Sequence, residues 1–135
     1  MFHKYETVLL QAVSSLVLFI VLTINGVQPS FLLIVKVGKI PIIIGGGHNN
    51  AYGNIKGLAL AKGKPVNAIN FDAHTDFRIL EGRHSGNGFS YAFEDGFLKK
   101  YFVFGLHENF VSKSVFNTLK ELTNRVKYVT YEEIE

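Results

Sequence analysis

Residues 40–76 read IPIIIGGGHNNAYGNIKGLALAKGKPVNAINFDAHTD, and this stretch decides the fold. Ile40 to Ile44 is a short β-branched run ended by Gly45, Gly46 and Gly47, the pattern of a buried strand that stops at a loop. Asn49 or Asn50 is placed to cap a helix over about residues 51–62; Gly53 and Gly57 weaken that helix but allow close packing. Gly63, Lys64 and Pro65 stop it, and Val66 to Phe71 reads as a second strand. Strand, helix and strand in so short a span form a βαβ unit, which implies parallel strands and a right-handed crossover.

Outward from this unit the alternation continues. Phe77 to Gly96 holds four glycines among scattered polar residues and reads as a long functional loop entering a short helix near Tyr91. Tyr101 to Phe104 is a third strand, ended by Gly105. Ser112 or Ser114 is placed to cap a helix reaching about Arg125, with Val115, Phe116, Leu119 and Leu122 on one face. Val126 to Thr130 is a fourth strand. The fold class is therefore α/β. All four strands are expected in one parallel sheet. Four strands are few for a sheet that must be covered on both faces, so exposed apolar surface and self-association are expected.

Chemistry concentrates where strands end. Asp72, His74 and Asp76 are spaced two apart directly after a strand, and in extended chain they point to one side. Open α/β sheets bind ligands at the carboxyl ends of strands. Three ionisable groups converging there are costly unless a cation or catalysis needs them. His48 occupies the same place on the neighbouring strand, behind glycines that let the backbone come close to whatever is bound. With the Asp-x-His-x-Asp element one βα unit later, His48 becomes a candidate metal ligand. The competing reading, a phosphate cradle, is disfavoured because the run lacks both the lysine-serine ending of a P-loop and the dinucleotide spacing.

Three stretches, GGGHNNAYGNIKG, NFDAHTDFR and GRHSGNGFSYA, in this order and spacing, resemble the ureohydrolase family of arginases, agmatinases and formimidoylglutamases, and most of all its formimidoylglutamase-like branch. The likeness covers about residues 39–135. It implies a three-layer α/β/α arginase-like fold, incomplete in this chain. It also implies two Mn²⁺ ions bridging a hydroxide that attacks an amidine or guanidine carbon. By that resemblance His48 and Asp76 are ligands of the first ion, His74 is a ligand of the second, and Asp72 bridges them, which gives Asp72 and His74 the catalytic positions. Ser85, Gly86 and Asn87 resemble the loop that binds the amino-acid end of the substrate, and Arg78 is a candidate partner for a substrate carboxylate.

Two departures from the pattern matter. Phe89 stands where arginases carry a proton-shuttling histidine, which argues against arginase proper. The family's later Asp-x-Asp element has no counterpart, because the one aspartate after Phe77 is Asp95. The family is also longer at both ends, so the chain reads as a fragment. The expectation is hydrolysis of a linear amidine such as N-formimidoyl-glutamate, impaired here, with at most one Mn²⁺ bound. The alternative is a catalytically silent fragment holding at most one metal.

Composition agrees with a globular enzyme piece. The chain has 135 residues, 47% hydrophobic and 19% charged, enough for one domain with a core and unlike a disordered or coiled-coil chain. A net charge of +3 with no basic stripe makes nucleic acid a poor partner. There is no cysteine, which removes disulfides and thiol nucleophiles. Residues 1–38 form a separate hydrophobic segment. Within it Thr7 to Ile24 is an 18-residue run without a charge, near the minimum for a membrane span. Gln11, Ser14 and Ser15 inside the run favour a buried element instead. A cytoplasmic location is expected, with anchoring through residues 7–24 as the alternative.

Overall fold

The computed structural model describes residues 17–19, 27–44 and 46–135. Its elements run β1 (Val17–Phe19), α1 (Val27–Lys36), β2 (Pro41–Ile43), α2 (Asn50–Lys62), β3 (Val66–Phe71), α3 (Gly88–Glu94), β4 (Leu98–Leu106), α4 (Lys113–Glu121) and β5 (Val126–Thr130). Short 3₁₀ turns occupy Ser85–Asn87 and Glu108–Phe110. Of the uncharged stretch at residues 7–24, only β1 falls among the described residues. No helix there is long and apolar enough to cross a membrane.

Every strand pairing is parallel, as the βαβ reading requires. The strands nevertheless divide into two sheets, β1-β2 and β3-β4-β5. The expectation of one four-stranded sheet is corrected: β2 pairs with β1 in register Val17↔Pro41, not with β3. A three-residue strand that starts on proline has only two N–H groups to offer. The third strand is also longer than expected. Gly105 adopts φ +84°, and the irregularity between Phe104 and Leu106 lets β4 continue until Leu106 meets Thr130. Glycine at a bulge bends a strand without ending it.

The helices cover one face of β3-β4-β5. Tyr52, Ile55 and Ala59 of α2, Phe89 and Ala92 of α3, and Val115 and Leu119 of α4 close over Leu98, Tyr101, Val103 and Leu106 of β4. At the centre the Tyr101 ring lies between Phe89, 4.4 Å away, and Phe77, 5.9 Å away, both nearly parallel to it. Helix ends follow the sequence signals. Gly63 takes φ +63° and donates its N–H to Ala59 O. The Ser112 hydroxyl accepts from Val115 N at 3.3 Å.

Among the described residues no helix packs on the opposite face. Ile69 is 62% exposed and Phe71 76%. Their lateral neighbours Phe102 and Phe104 lie on the same face, Phe102 half-buried and Phe104 37% exposed. Exposed apolar surface was expected of so narrow a parallel sheet, and it is present.

Candidate metal centre

The ends of β2 and β3 bring the candidate ligands together. His48 sits in the turn between β2 and α2, held where Asn50 N donates to Gly47 O and Ala51 N to His48 O. Gly46 adopts φ +82°, and a Cβ there would collide with the Asn50 amide, so this turn needs glycine twice over. Asp72 follows β3 directly, and its N–H still bonds Phe104 O at 3.2 Å, which ties the site to the sheet.

Beyond Asp72 the chain curls. His74 N donates to Asp72 Oδ1 at 2.9 Å, Phe77 N donates to Thr75 Oγ1 at 3.2 Å, and Asp76 adopts φ +45°. A left-handed aspartate is uncommon backbone and marks a site that the surroundings hold in place. The expectation that residues 72, 74 and 76 share one side of an extended chain is therefore corrected. Asp72 and Asp76 both reach His48 because the chain turns, whereas His74 reaches Asp72 and stays outside that group. Underneath, Tyr101 Oη donates to Thr75 O at 2.7 Å, so the core ring stack anchors the turn. Burial pushes the Tyr101 phenol far above its ordinary value, which keeps it a donor.

His48, Asp72 and Asp76 each offer an atom within 4.8 Å of the others. His48 Nδ1 lies 2.5 Å from Asp76 Oδ2 and 3.3 Å from Asp72 Oδ2. The close Asp76 contact raises the His48 pKa, burial opposes it, and the charges of Asp76 and Asp72 add to the rise. Asp76 is only 7% exposed, and its Oδ2 is buried with no aligned hydrogen-bond donor among the described residues. A buried carboxylate oxygen in that state wants a cation. One imidazole and two carboxylates suit a divalent manganese, iron or zinc ion, so the residues fit a metal.

His74 stands apart from this group. Its side chain is 58% exposed, and its Nδ1 meets Asp72 Oδ1 at 3.1 Å. Asp72 thus turns one oxygen to His48 and the other to His74. The His74 ring also stacks on Phe110 at 5.0 Å.

These residues line a cleft of about 620 Å³ whose far wall includes Arg78, Ser85, Ser112 and Ser114. Arg78 is ion-paired with Glu81 at 3.2 Å, and Glu81 also meets His84 at 3.1 Å. Asn87 stands behind the wall, fully buried. Its amide accepts from His84 N and donates to Ile79 O and Gly82 O, which holds the loop that presents Ser85. Phe89 packs beneath His48, edge-on at 5.8 Å. Sequence reasoning did not single out Thr75 or Phe110. Thr75 acts through its backbone carbonyl, which no residue type advertises. Phe110 carried a signal only as an aromatic ring three residues beyond His107, the histidine that follows β4.

The comparisons with known proteins fall in one place. The profile of the arginase family matches residues 5–135. A formimidoylglutamase of Streptococcus pyogenes serotype M3 is 43% identical over 77 residues, which is 51% of this chain and 24% of the relative. Among solved structures, the formimidoylglutamase of Bacillus subtilis superposes with a TM-score of 0.72 at 23% identity, over 82% of this chain and 35% of that one. A Trypanosoma cruzi formiminoglutamase solved with Mn²⁺ gives 0.70 at 22% identity, over 82% and 38%. The chain thus spans between a quarter and two-fifths of the length of these proteins. They share its arginase-like fold.

Proposed function

Because the chain belongs to the arginase family, we propose that its cleft is the first-ion half of a metal-dependent hydrolase site for linear amidines, with N-formimidoyl-glutamate the preferred substrate class. The carrying observation is the approach of His48, Asp72 and Asp76 within 4.8 Å of one another at the ends of β2 and β3. In this reading His48, Asp72 and Asp76 would hold one Mn²⁺, and Asp72 and His74 would serve a second. Bound manganese supplies a Lewis acid that makes water nucleophilic near neutral pH. The relatives named formimidoylglutamase support the choice of substrate, as does Phe89, an apolar core residue that offers no proton relay at its position.

The residues of the chain then have separate tasks. Asp72, with an oxygen toward each histidine, sits where a proton leaving the attacking water can be accepted. Arg78 and Ser85 face the cleft and are suited to a carboxylate of the substrate, Arg78 by exchanging its Glu81 partner for that carboxylate. Asn87 contributes by holding their loop. Water adds to the amidine carbon, the C–N bond to the glutamate nitrogen breaks, and glutamate and formamide leave. A small-molecule substrate and a cytoplasmic setting go with this reading. In the 135-residue chain the second ion position has only Asp72 and His74, so turnover is expected to be slow.

The test is an assay of N-formimidoyl-L-glutamate hydrolysis with Mn²⁺. We expect weak turnover, abolished by Asp76→Ala and lowered mainly through KM by Arg78→Ala, with arginine a poorer substrate. Turnover indifferent to Asp76→Ala, or a preference for arginine, would overturn the assignment.

A further inference from the structure

A ring pile crosses the strand ends beside the cleft. His74 stacks on Phe110 at 5.0 Å and 17°, Phe110 on His107 at 5.7 Å and 24°, and His107 on Tyr131 at 4.9 Å and 24°. Backbone bonds set the pile in register across three strands. His107 N donates to Ala73 O at 3.0 Å, Phe110 N to His107 O at 3.0 Å, and Tyr131 N to Leu106 O at 3.0 Å. The loops after β3, β4 and β5 are thereby tied side by side.

Phe110 is 58% exposed, so burial in a core does not account for a phenyl ring there. Its surroundings do. Two contacts hold the His74 imidazole: Asp72 Oδ1 at one ring nitrogen, and the flat face of Phe110. The carboxylate contact lies at one edge and leaves the ring free to swing about it. A parallel phenyl face removes that swing. It holds the imidazole plane while the ring stays open to the cleft that both residues line.

We infer that Phe110 is a positioning residue for His74, fixing the plane of its imidazole so that the ring nitrogen beside Asp72 is presented together with that carboxylate to a metal ion in the cleft; this rests on the hydrolase reading above. Outer contacts that orient a metal-binding histidine change metal affinity or activity by about 10–100-fold when removed. Ordinary partners are hydrogen-bond acceptors on the other ring nitrogen. Here the orienting contact beside Asp72 is an aromatic face.

The experiment uses the 135-residue chain and Co²⁺, which binds nitrogen and oxygen sites more tightly than Mn²⁺ and whose visible absorption reports its ligands. Wild type, His74→Ala, Phe110→Ala, Phe110→Leu and Phe110→Tyr are titrated, and the imidazole proton signals of the metal-free forms are assigned. In wild type the His74 ring protons should lie upfield, under the phenyl face. Phe110→Ala and Phe110→Leu should move them downfield, reproduce the spectral change of His74→Ala, and weaken the His74-dependent Co²⁺ binding about tenfold or more. Phe110→Leu keeps the bulk without the flat face, and Phe110→Tyr should restore the wild-type spectrum and shifts. If His74→Ala alters the Co²⁺ spectrum while Phe110→Ala and Phe110→Leu match wild type, the hydrolase reading stands and this inference is overturned. If His74→Ala leaves the spectrum unchanged, His74 is no ligand and this inference falls, while Co²⁺ binding that Asp76→Ala abolishes would leave the hydrolase reading standing.

Discussion

The two faces of the β3-β4-β5 sheet differ as sharply as a core differs from a surface. On one, Leu98, Val103 and Leu106 have no exposed area and Tyr101 is 2% exposed; on the other, Ile69 and Phe71 stand 62% and 76% exposed. Both faces carry the same residue classes, since a parallel sheet is written to be buried twice. The difference teaches where the site gets its rigidity. Thr75, the turn residue between His74 and Asp76, is fastened through Tyr101 to the covered face. Among the described residues, the hydrogen bonds that hold Asp72 and the Ser85 loop come from Phe104, His74, His84 and Asn87, not from Phe71 or Ile69.

The covered face should therefore be the fragile one. Tyr101→Ala removes a ring stacked between Phe77 and Phe89 and the bond to Thr75 O, and should destabilise the fold by about 3–5 kcal/mol. Urea denaturation followed by tyrosine fluorescence measures it. A loss comparable to that of a surface substitution would mean the helices do not pack as described.

Next comes the loop wall. Asn87→Ala strands the partners of three hydrogen bonds in a buried position and should cost on the order of 2–3 kcal/mol. It should also raise amide exchange across residues 79–87 while leaving β5 protected. Exchange that rises equally everywhere would show that Asn87 has no local role.

A smaller effect is expected from pH in the metal-free chain. The folded pKa of His48 lies above the ordinary imidazole value of 6.5, so its pairing with Asp76 stabilises fully below that value. The contribution is lost as pH rises through the folded pKa. Thermal melts across the neutral range should show this slope, and Asp76→Asn should flatten it.

The smallest change belongs to the bare face. Phe71→Ser should shift stability by no more than about 0.5 kcal/mol, because the ring has little to lose in the monomer. It should, however, reduce self-association, read by light scattering against concentration. A large loss of stability from Phe71→Ser would mean that the face is covered in solution, and the contrast between the faces would dissolve.

How much of this was legible in sequence follows from what residue types can announce. The strand–helix–strand order and the two site loops were readable because glycine runs, β-branched runs and charged residues at strand ends are local signals, although the first of those strands joins a separate sheet. The parallel direction of every strand followed from them. The sidedness of β4 was not, since Tyr101, Phe102 and Phe104 are all aromatic and only the pleat assigns one to the core and two to the opposite face. Likewise Asp72, His74 and Asp76 at two-residue spacing suggested one shared side, whereas the turn at Asp72 and the left-handed Asp76 set His74 apart. Spacing reports a regular backbone, and these residues lie where the regular backbone has ended. The partition of strands into two sheets was equally hidden, because hydrogen-bond partners between strands leave no mark on either strand alone.

The central proposal is that His48, Asp72 and Asp76 form one ion position, and that Asp72 and His74 alone serve a second. Calorimetric titration of the 135-residue chain with Mn²⁺ tests it most directly. The account predicts at most one ion retained per chain, with binding abolished by Asp76→Ala, since two protein ligands should not hold a metal so low in the affinity order. Two tightly bound ions per chain, or one ion whose binding survives Asp76→Ala, would contradict it.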